Sequence, residues 1–322
     1  MRGLSPAARA APSSAPLRCL RARRAQPALL VRCACGYAAP PMALDRTLVA
    51  KPSEPSTWEY AWRDVVLYAL GVGAKREELD YLYEGRGPKV LPSFAVVSKF
   101  GPMIDLLART GGNMAMIVHG AERVTVHAPL APAGKLRTSV TVRGIYDMKR
   151  LASVLVDSRA EDEGGKLVAE TTSTILFRGE GGFGGDPPPK DAPPVERPRD
   201  VPPTFSVEEA TSPEQALLYR LSGDPNPLHA DPEFARAVGF ERGPILHGLC
   251  TFGFMVRHVA RAACGGDASR IRGFEASFRR PVWPGDTLVT EGWQVRPDAI
   301  ALQVKVKERD EVVLSGAWAT WE

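Results

Sequence analysis

The chain has 322 residues, of which 44% are hydrophobic and 24% are charged, as expected for a globular protein with room for two domains. Its net charge of +4 is uneven: residues 1–44 hold seven arginines and no acid, whereas the rest holds 34 basic and 37 acidic residues. This mildly acidic remainder argues against a nucleic-acid partner, and the lack of any run of 18 apolar residues argues against a membrane role.

The first 44 residues are predicted to be a targeting extension. They are rich in Arg, Ala, Ser and Pro, which is typical of a removable transit peptide and favours a mitochondrial or plastid address. A start at Met42, just before the first acidic residue Asp45, is the alternative. Three of the five cysteines lie in this segment, and the two that remain, Cys250 and Cys264, are consistent with a reducing compartment.

An internal repeat is visible farther along the chain. Residues 120–134 parallel residues 273–285, with an offset of 151 to 153 positions. Upstream, Tyr68-Ala-Leu-Gly-Val-Gly73 occupies in the first copy the place that residues 219–224 occupy in the second. The chain therefore predicts two copies of one structural unit.

The domain boundaries follow from this repeat. The first copy is assigned to residues 45–178 and the second to residues 204–322. Residues 179–203 between them are Gly-rich and then Pro-rich, which predicts an extended linker with almost nothing to bury.

Helices are predicted at three places in the second copy. Ser212-Pro-Glu-Gln215 has the N-cap, first-turn proline and capping-box Gln of a helix start, and residues 232–239 predict another turn or two. Residues 248–256 carry no charge on any face, so a buried helix is expected there. Arg257, His258 and Arg261, followed by Gly265-Gly266, are the cations and the cap expected near its C-terminal end.

An antiparallel strand is predicted close to the C-terminus. Its apolar residues alternate with Ala, Gln and Lys in a period of two: Ile300, Leu302, Val304 and Val306 against Ala301, Gln303, Lys305 and Lys307. A buried helix followed by four such strands is the hot-dog arrangement, in which a curved sheet wraps a helix. With the repeat, the expected fold is an α+β double hot dog.

The run Tyr219-Arg-Leu-Ser-Gly-Asp-Pro-Asn-Pro-Leu-His229 carries the chemistry of the chain. Its two prolines restrict the backbone, so a carboxylate and an imidazole five positions apart lose little entropy when they converge. Asp224 and His229 can hold one water between them, deprotonate it and return the proton to a substrate.

Two other interpretations of this run are open. Asp224 could bond to its own backbone in a plain turn, with His229 on the surface. Alternatively, Asp224, His229, Asp231 and His247 could bind a metal, although they lack a recognised zinc-binding spacing.

The run resembles the signature of the R-specific enoyl-CoA hydratases, the hydratase 2 type within the MaoC-like dehydratase group. The residues that match it are Tyr219, Ser222, Gly223, Asp224, Asn226, Pro227, Leu228, His229 and Ala235. The resemblance extends from about Trp58 to Glu322. It implies reversible hydration of a trans-2-enoyl-CoA to a (3R)-3-hydroxyacyl-CoA in fatty-acid β-oxidation, with no metal or redox cofactor.

The resemblance also implies roles for single residues. Asp224 and His229 would be catalytic, and the backbone N–H of Gly248 would polarise the thioester carbonyl, because helix N-termini stabilise negative charge. Asn226 would orient the loop or bind substrate. Tyr219 would be a supporting donor behind the dyad or simply a buried helix residue. His247 would be a structural or pocket-lining residue rather than a second base.

Other residues are weaker candidates. Tyr83-Glu-Gly85 resembles a family stretch with a functional Glu, which makes Glu84 a supporting residue, although a solvated Glu is the commoner interpretation. Arg279, Arg280 and Lys305 are candidates for contacts to the CoA phosphates. The first copy lacks the Asp-Pro-Asn-Pro-Leu-His loop, so its expected role is to make room for a bulky acyl chain.

The partners and the address are expectations from the same resemblance. The substrate would be an acyl-CoA thioester, the assembly a homodimer, and the compartment the peroxisome, although the C-terminus Ala-Thr-Trp-Glu322 is not a Ser-Lys-Leu signal. Three alternatives stay open: a dehydratase of acyl-carrier-protein thioesters in organellar fatty-acid synthesis, a hot-dog thioesterase, and a non-catalytic acyl-CoA binding module.

Overall fold

The computed structural model describes residues 44–189 and 191–322. The predicted targeting extension and the alternative start at Met42 therefore lie outside the described residues, apart from Leu44 at the end of the extension. Over the part that is described, no helix is long and apolar enough to cross a membrane.

Ten antiparallel strands within the described ranges form one sheet. The first repeat supplies β1 (Ser56–Tyr60), β2 (Ile117–Val126), β3 (Gly134–Asp147), β4 (Leu151–Glu161) and β5 (Leu167–Arg178). The second supplies β6 (Phe205–Ala210), β7 (Ile271–Phe278), β8 (Thr287–Arg296), β9 (Ala299–Val306) and β10 (Glu311–Trp321). Their order across the sheet is β1-β3-β4-β5-β2-β7-β10-β9-β8-β6. Each half has the same internal order, which confirms the predicted double hot dog.

The repeated segments meet at the centre of this sheet. They contain β2 and β7, which pair antiparallel with Val124 opposite Phe274 and Ala121 opposite Ser277. The strand backbones of the two repeats are therefore joined by a continuous hydrogen-bonded ladder.

The described helices lie around this sheet. They are α1 (Trp62–Gly71), α2 (Leu79–Leu82), α3 (Phe100–Arg109), α4 (Gln215–Tyr219), α5 (Pro232–Ala237) and α6 (Gly248–Ala263). Helices α1 and α4 occupy equivalent places and touch each other, with the rings of Tyr68 and Tyr219 5.9 Å apart. A Cβ atom on Gly71 would lie 3.3 Å from the Cα of Tyr219, so a small residue is needed at this crossing.

Helix α6 confirms the prediction of a buried helix. Every residue from Leu249 to Ala260 is buried, and the apolar ones pack in the main core with side chains of β7, β8, β9 and β10. The helix ends where Gly265 and Gly266 adopt positive φ angles of 66° and 86°, and the Gly266 N–H donates to the carbonyl of Ala260 at 2.8 Å.

The prediction of cations at the helix end is confirmed for Arg261, which lies in the last turn of α6, and was wrong for Arg257 and His258. The helix continues to Ala263, so both residues lie well inside it and are fully buried. Arg257 donates to the Val72 carbonyl at 3.1 Å and binds two glutamates, and the Nδ1 atom of His258 lies 2.8 Å from the hydroxyl of Thr290.

The start of α4 differs slightly from the prediction. The helix begins at Gln215, and Ser212 forms the turn before it, accepting a hydrogen bond from the Glu214 N–H at 3.1 Å. The side chain of Gln215 accepts from the Ser212 N–H, as in a capping box, and also donates to the Gly71 carbonyl at 2.7 Å. That second contact ties the two repeats together.

The linker was expected to bury almost nothing, and this was wrong. Val195 is 7% exposed and packs with Trp293, Ala301 and Trp318 on the sheet face opposite α6. The Trp293 indole N–H donates to the Val201 carbonyl at 2.8 Å. The predicted strand β9 is present, but Ala301 on its polar face is buried because the linker covers it.

Candidate active site

The loop after α4 is shaped by its own side chains. Gly223 adopts a φ of 118°, which residues with a Cβ rarely adopt. Asp224 Oδ1 then accepts a hydrogen bond from the Asn226 N–H at 3.1 Å, and Asn226 Oδ1 accepts one from the Leu228 N–H at 3.0 Å. The second bond caps the 3₁₀ turn Pro227–His229. The turn in which Asp224 bonds to the local backbone is therefore present. It does not exclude a catalytic pair, because it brings Asp224 close to His229.

His229 is oriented by a backbone carbonyl. Its side chain is buried, and Nδ1 lies 2.8 Å from the carbonyl oxygen of Ile245. Because a carbonyl can only accept, Nδ1 carries the proton and Nε2 of the neutral ring keeps a lone pair. One nitrogen or oxygen atom from each of Asp224, His229 and His247 lies within 4.8 Å of the other two. We call Asp224 and His229 the dyad.

Burial perturbs both members of the dyad. It raises the pKa of Asp224, an effect that the nearby His229 opposes. It lowers the pKa of His229, an effect that Asp224 opposes. The two shifts bring the proton affinities of the carboxylate and the imidazole closer together, which suits a pair that accepts and returns one proton.

His247 lines the pocket as a neutral ring. It stacks on His229 with ring centroids 3.6 Å apart, and its Nε2 lies 3.3 Å from the backbone oxygen of Asp224. Burial lowers its pKa to about 2, so it is a poor base at neutral pH.

The metal-site alternative fits this geometry poorly. One nitrogen of each ring already faces a backbone carbonyl, Nδ1 of His229 that of Ile245 and Nε2 of His247 that of Asp224. Asp231, the fourth residue of that alternative, caps α5 instead, accepting from the Glu233 N–H at 2.8 Å.

Gly248 is the first residue of α6, so its N–H has no acceptor within the helix. A Cβ atom at this position would lie 3.0 Å from the ring of Phe278, so only glycine lets the backbone approach the pocket here without moving that ring. Gly248 lines the cavity, and its N–H belongs to the positive end of a 16-residue helix.

The dyad opens into a cavity of about 410 Å³. Asn226, His247 and Gly248 also line it, and so do Arg279 and Arg280 after β7. The first repeat contributes an apolar wall, made by Phe100, Met103, Ile104, Leu107, Ile117, Ile175 and Leu176. Both repeats therefore contribute to this pocket, which is polar at the dyad and at Arg279 and Arg280 and apolar along the wall from the first repeat.

The structure does not place three of the predicted residues in the cavity wall. Tyr219 is buried behind it, with its ring 4.9 Å from His247, and burial raises its pKa well above the ordinary value. Glu84 is exposed in the 3₁₀ turn Glu84–Arg86. Lys305 forms ion pairs with Glu291 at 3.4 Å and Asp310 at 3.2 Å.

Sequence reasoning missed His119, which lies on β2 and lines the cavity. Its Nε2 atom is 3.0 Å from a carboxylate oxygen of the buried Glu122. The only signal in the sequence was its place directly before the repeated segment, which does not distinguish it from other strand residues.

Comparisons with known proteins agree with this architecture. Residues 194–316 match the MaoC-like domain, and residues 58–179 match the hydratase 2 N-terminal domain of MFE-2. The chain is 37% identical to the peroxisomal enoyl-CoA hydratase 2 of Arabidopsis thaliana over 289 residues, which cover 84% of this chain and 93% of that protein. It is 40% identical to 3-hydroxyacyl-thioester dehydratase Y of Mycobacterium tuberculosis over 277 residues, 84% of this chain and 94% of that one.

A solved structure agrees as well. The crystal structure of a MaoC-like dehydratase from Phytophthora capsici superposes with a TM-score of 0.78 at 33% sequence identity, covering 87% of this chain and 98% of that one. Given this fold, the dyad loop and these relatives over most of its length, the chain belongs to the MaoC-like hydratase 2 family.

Proposed function

We propose that this protein is a hydro-lyase that catalyses the reversible hydration of trans-2-enoyl-CoA to (3R)-3-hydroxyacyl-CoA in fatty-acid β-oxidation. The observation that carries the proposal is that Asp224, His229 and Gly248 line one cavity, with Asp224 and His229 close together. Hydration of a conjugated thioester needs a base for water, a proton for C2 and a donor for the carbonyl oxygen. These three groups supply all of them.

The reaction balances with these groups alone. Water sits between the Asp224 carboxylate and the Nε2 lone pair of His229, and its oxygen forms a bond to C3 of the substrate. The dyad takes one proton from that water and delivers it to C2, while the electron pair of the double bond shifts towards the thioester carbonyl. The Gly248 N–H stabilises the negative charge that develops on the carbonyl oxygen.

No redox cofactor is needed in this scheme, because addition of water causes no net oxidation or reduction of the substrate. No metal is needed in it either, because the dyad activates the water and the Gly248 N–H polarises the carbonyl. CoA enters as part of the substrate. Arg279 and Arg280 are the candidates for its phosphates, since both lie on the cavity wall. We propose that the apolar wall of the first repeat receives the acyl chain.

The test of this proposal is a pair of substitutions in the dyad. Asp224→Asn and His229→Gln keep the size of each side chain but remove the base, so turnover should fall at least about a hundredfold. The rate is followed as loss of the enoyl thioester absorbance, and circular dichroism reports the fold.

Asp231→Asn is the matched control, because Asn caps a helix as well as Asp does and Asp231 serves α5. Its turnover should stay near wild type. Folded dyad variants with near wild-type rates would refute the assignment. Release of free thiol in place of hydration would identify a thioesterase, and chiral analysis of the product tests the (3R) configuration.

We further propose a peroxisomal address and a homodimer. The peroxisomal address is supported by the relative from Arabidopsis thaliana, which is named peroxisomal. The homodimer is motivated by the resemblance to hydratase 2. Chains starting at Met1 and at Met42, each with a fluorescent protein at the C-terminus, should both reach peroxisomes. A mitochondrial or plastid location of the longer chain would instead identify the N-terminal segment as a transit peptide.

Sedimentation equilibrium should give twice the mass of one chain, and a single-chain mass would refute the dimer.

A further inference from the structure

A second cavity lies beside the one that contains the dyad. It has a volume of about 300 Å³ and is bounded by β1, α1, the start of α3 and the turn after α4. Among the described residues, Phe100 is the one that lines both cavities. The hydration scheme described above does not use the second cavity. Its other apolar side chains include Trp58, Leu67, Phe94, Val97 and Leu221.

The second cavity is suited to a hydrocarbon group. Phe94 is 1% exposed, and Trp58 and Leu67 are half-buried, so the interior of the cavity is apolar. Its outer edge is the exposed start of β1. Leu221 is 60% exposed although it is apolar. A hydrocarbon chain placed here would remove apolar surface from water, which is favourable.

Phe100 and the dyad loop separate the two cavities. Gly223 lines the second cavity, and the next residue, Asp224, lines the first. A Cβ atom on Gly223 would lie 3.9 Å from a methyl carbon of Val97, so the loop lies against the segment that leads into α3. Phe100 completes this boundary as a residue of both walls, and its side chain also packs against the core of the first repeat.

The backbone at Phe100 is held in place by the two residues before it. Lys99 is 1% exposed, and its ammonium group pairs with Glu122 and donates to the Ser173 hydroxyl at 2.5 Å. Ser98 accepts a hydrogen bond from a threonine of β3 at 3.0 Å. Breaking a buried ion pair is costly, so the backbone resists any shift that would merge the cavities. The size of the side chain at position 100 therefore decides whether they are joined.

We propose that Phe100 is a specificity-determining residue: it closes the dyad cavity against the second cavity and thereby limits the length of the acyl chain that the enzyme binds. This inference rests on the proposed function, in which the apolar wall of the first repeat receives the acyl chain. Phe100 begins that wall on α3, and Ile104 and Leu107 follow on the same face of the helix. An acyl chain that reaches Phe100 cannot pass it, whereas a smaller residue would let the chain continue into the second cavity.

The experiment compares kcat/KM over a series of straight-chain trans-2-enoyl-CoA substrates of increasing length. Phe100→Ala should join the two cavities. Each methylene that is newly buried strengthens binding about fourfold, so room for two or more should raise the ratio of long-chain to short-chain kcat/KM about tenfold or more. Phe100→Leu removes less volume and should give a smaller rise in the same direction. It also tests the inference if Phe100→Ala fails to fold.

The matched control fills the second cavity instead of opening it. Gly101 lines that cavity and not the dyad cavity, and a Cβ atom there would meet no other atom within 4 Å. Gly101→Phe alone should leave the chain-length profile unchanged. Combined with Phe100→Ala, it should cancel the rise in the ratio, because the added ring occupies the space that the longer chain would enter.

Three outcomes would overturn the inference. The first is a wild-type ratio in both Phe100 variants. The second is a rise that Gly101→Phe does not cancel, which would place the extra room elsewhere. The third is a changed profile in Gly101→Phe alone, which would mean that the wild-type enzyme already uses the second cavity. None of them affects the proposed function, because every variant keeps the dyad and Gly248. That function fails if Asp224→Asn retains activity.

Discussion

Arg257 shows how one residue can tie the molecule together. It lies inside α6 and is 1% exposed, yet its guanidinium reaches Glu78 of the first repeat at 2.6 Å and Glu209 of β6. Its Nε donates to the Val72 carbonyl at 3.1 Å. A charge this deep is tolerated because each of the three guanidinium nitrogen atoms donates a hydrogen bond. The acceptors come from both repeats.

Arg257→Met should therefore be strongly destabilising. The substitution fills much of the same space but leaves Glu209 without its closest cation, and breaking a buried ion pair costs about 3–5 kcal/mol. Urea unfolding measures the loss in the free energy of unfolding. Arg261→Met is the matched control on the same helix, since Arg261 is 49% exposed and 3.9 Å from Glu209, and it should cost less than about 1 kcal/mol. Equal costs for both variants would contradict this account.

Acid sensitivity follows from the same cluster. Although burial opposes the shift, hydrogen bonds from His258 and Arg257 lower the pKa of Glu209 from 4.5 to about 2. The stability that this carboxylate contributes is thus present above pH 4.5 and is lost as the pH falls towards 2. Burial also lowers the pKa of His258, so the unfolded state takes up a proton first and the loss begins below pH 6.5. Asp224 of the dyad shows the opposite shift from Glu209, since its pKa is raised in the folded protein. Ionisation of Asp224 therefore does not add stability.

At the scale of elements, α3 and α6 show how the two repeats have diverged. The hot-dog helix of the second repeat has 16 residues, whereas α3 has 10. One side of α3 buries Leu106 and Leu107 in a core with β3, β4 and β5. Phe100 and Ile104 line the cavity, and Met103 and Leu107 contribute to both the core and the cavity wall. The shorter helix thus forms the apolar wall that the dyad faces.

Ile104→Trp should narrow this wall. The larger ring would occupy space that we assign to the acyl chain, so kcat/KM for long-chain enoyl-CoA should fall about tenfold or more, while short-chain substrates keep most of their activity. Rates over a series of chain lengths measure the effect. Asp105→Trp, at an exposed position of the same helix outside the cavity wall, should leave the chain-length profile unchanged. A uniform loss at every chain length in Ile104→Trp would argue that the acyl chain lies elsewhere.

At the scale of the whole molecule, the two repeats form one sheet and one cavity. The pairing of β2 with β7 joins their strands, and the Gln215 amide, which donates to the Gly71 carbonyl at 2.7 Å, joins their helices. The second repeat carries the dyad and the Gly248 N–H, while the first supplies the apolar wall and His119. The two copies of a duplicated unit can take different functional roles in this way, because each copy needs only to preserve the sheet and its core.

The local features were predictable from sequence alone. The repeat offset, the buried helix from Gly248, the alternating strand β9 and the proline-stiffened loop with Asp224 and His229 depend on neighbouring residues and short spacings. Propensity, periodicity and steric restriction act at that range. The double hot-dog fold followed from the repeat and was confirmed, whereas the roles of the dyad residues stay proposals.

Tertiary structure decided the features that depend on distant contacts. No spacing shows that Lys99 and Glu122 pair in the core, that Arg257 meets Glu78 and Glu209, or that His119 faces the cavity. Charged residues in a sequence look alike whether water or another charge compensates them, and only long-range packing distinguishes the two cases. For the same reason the sequence could not show that Val195 in the linker is covered by the sheet, or that the positions of Glu84 and Lys305 lie away from the cavity wall.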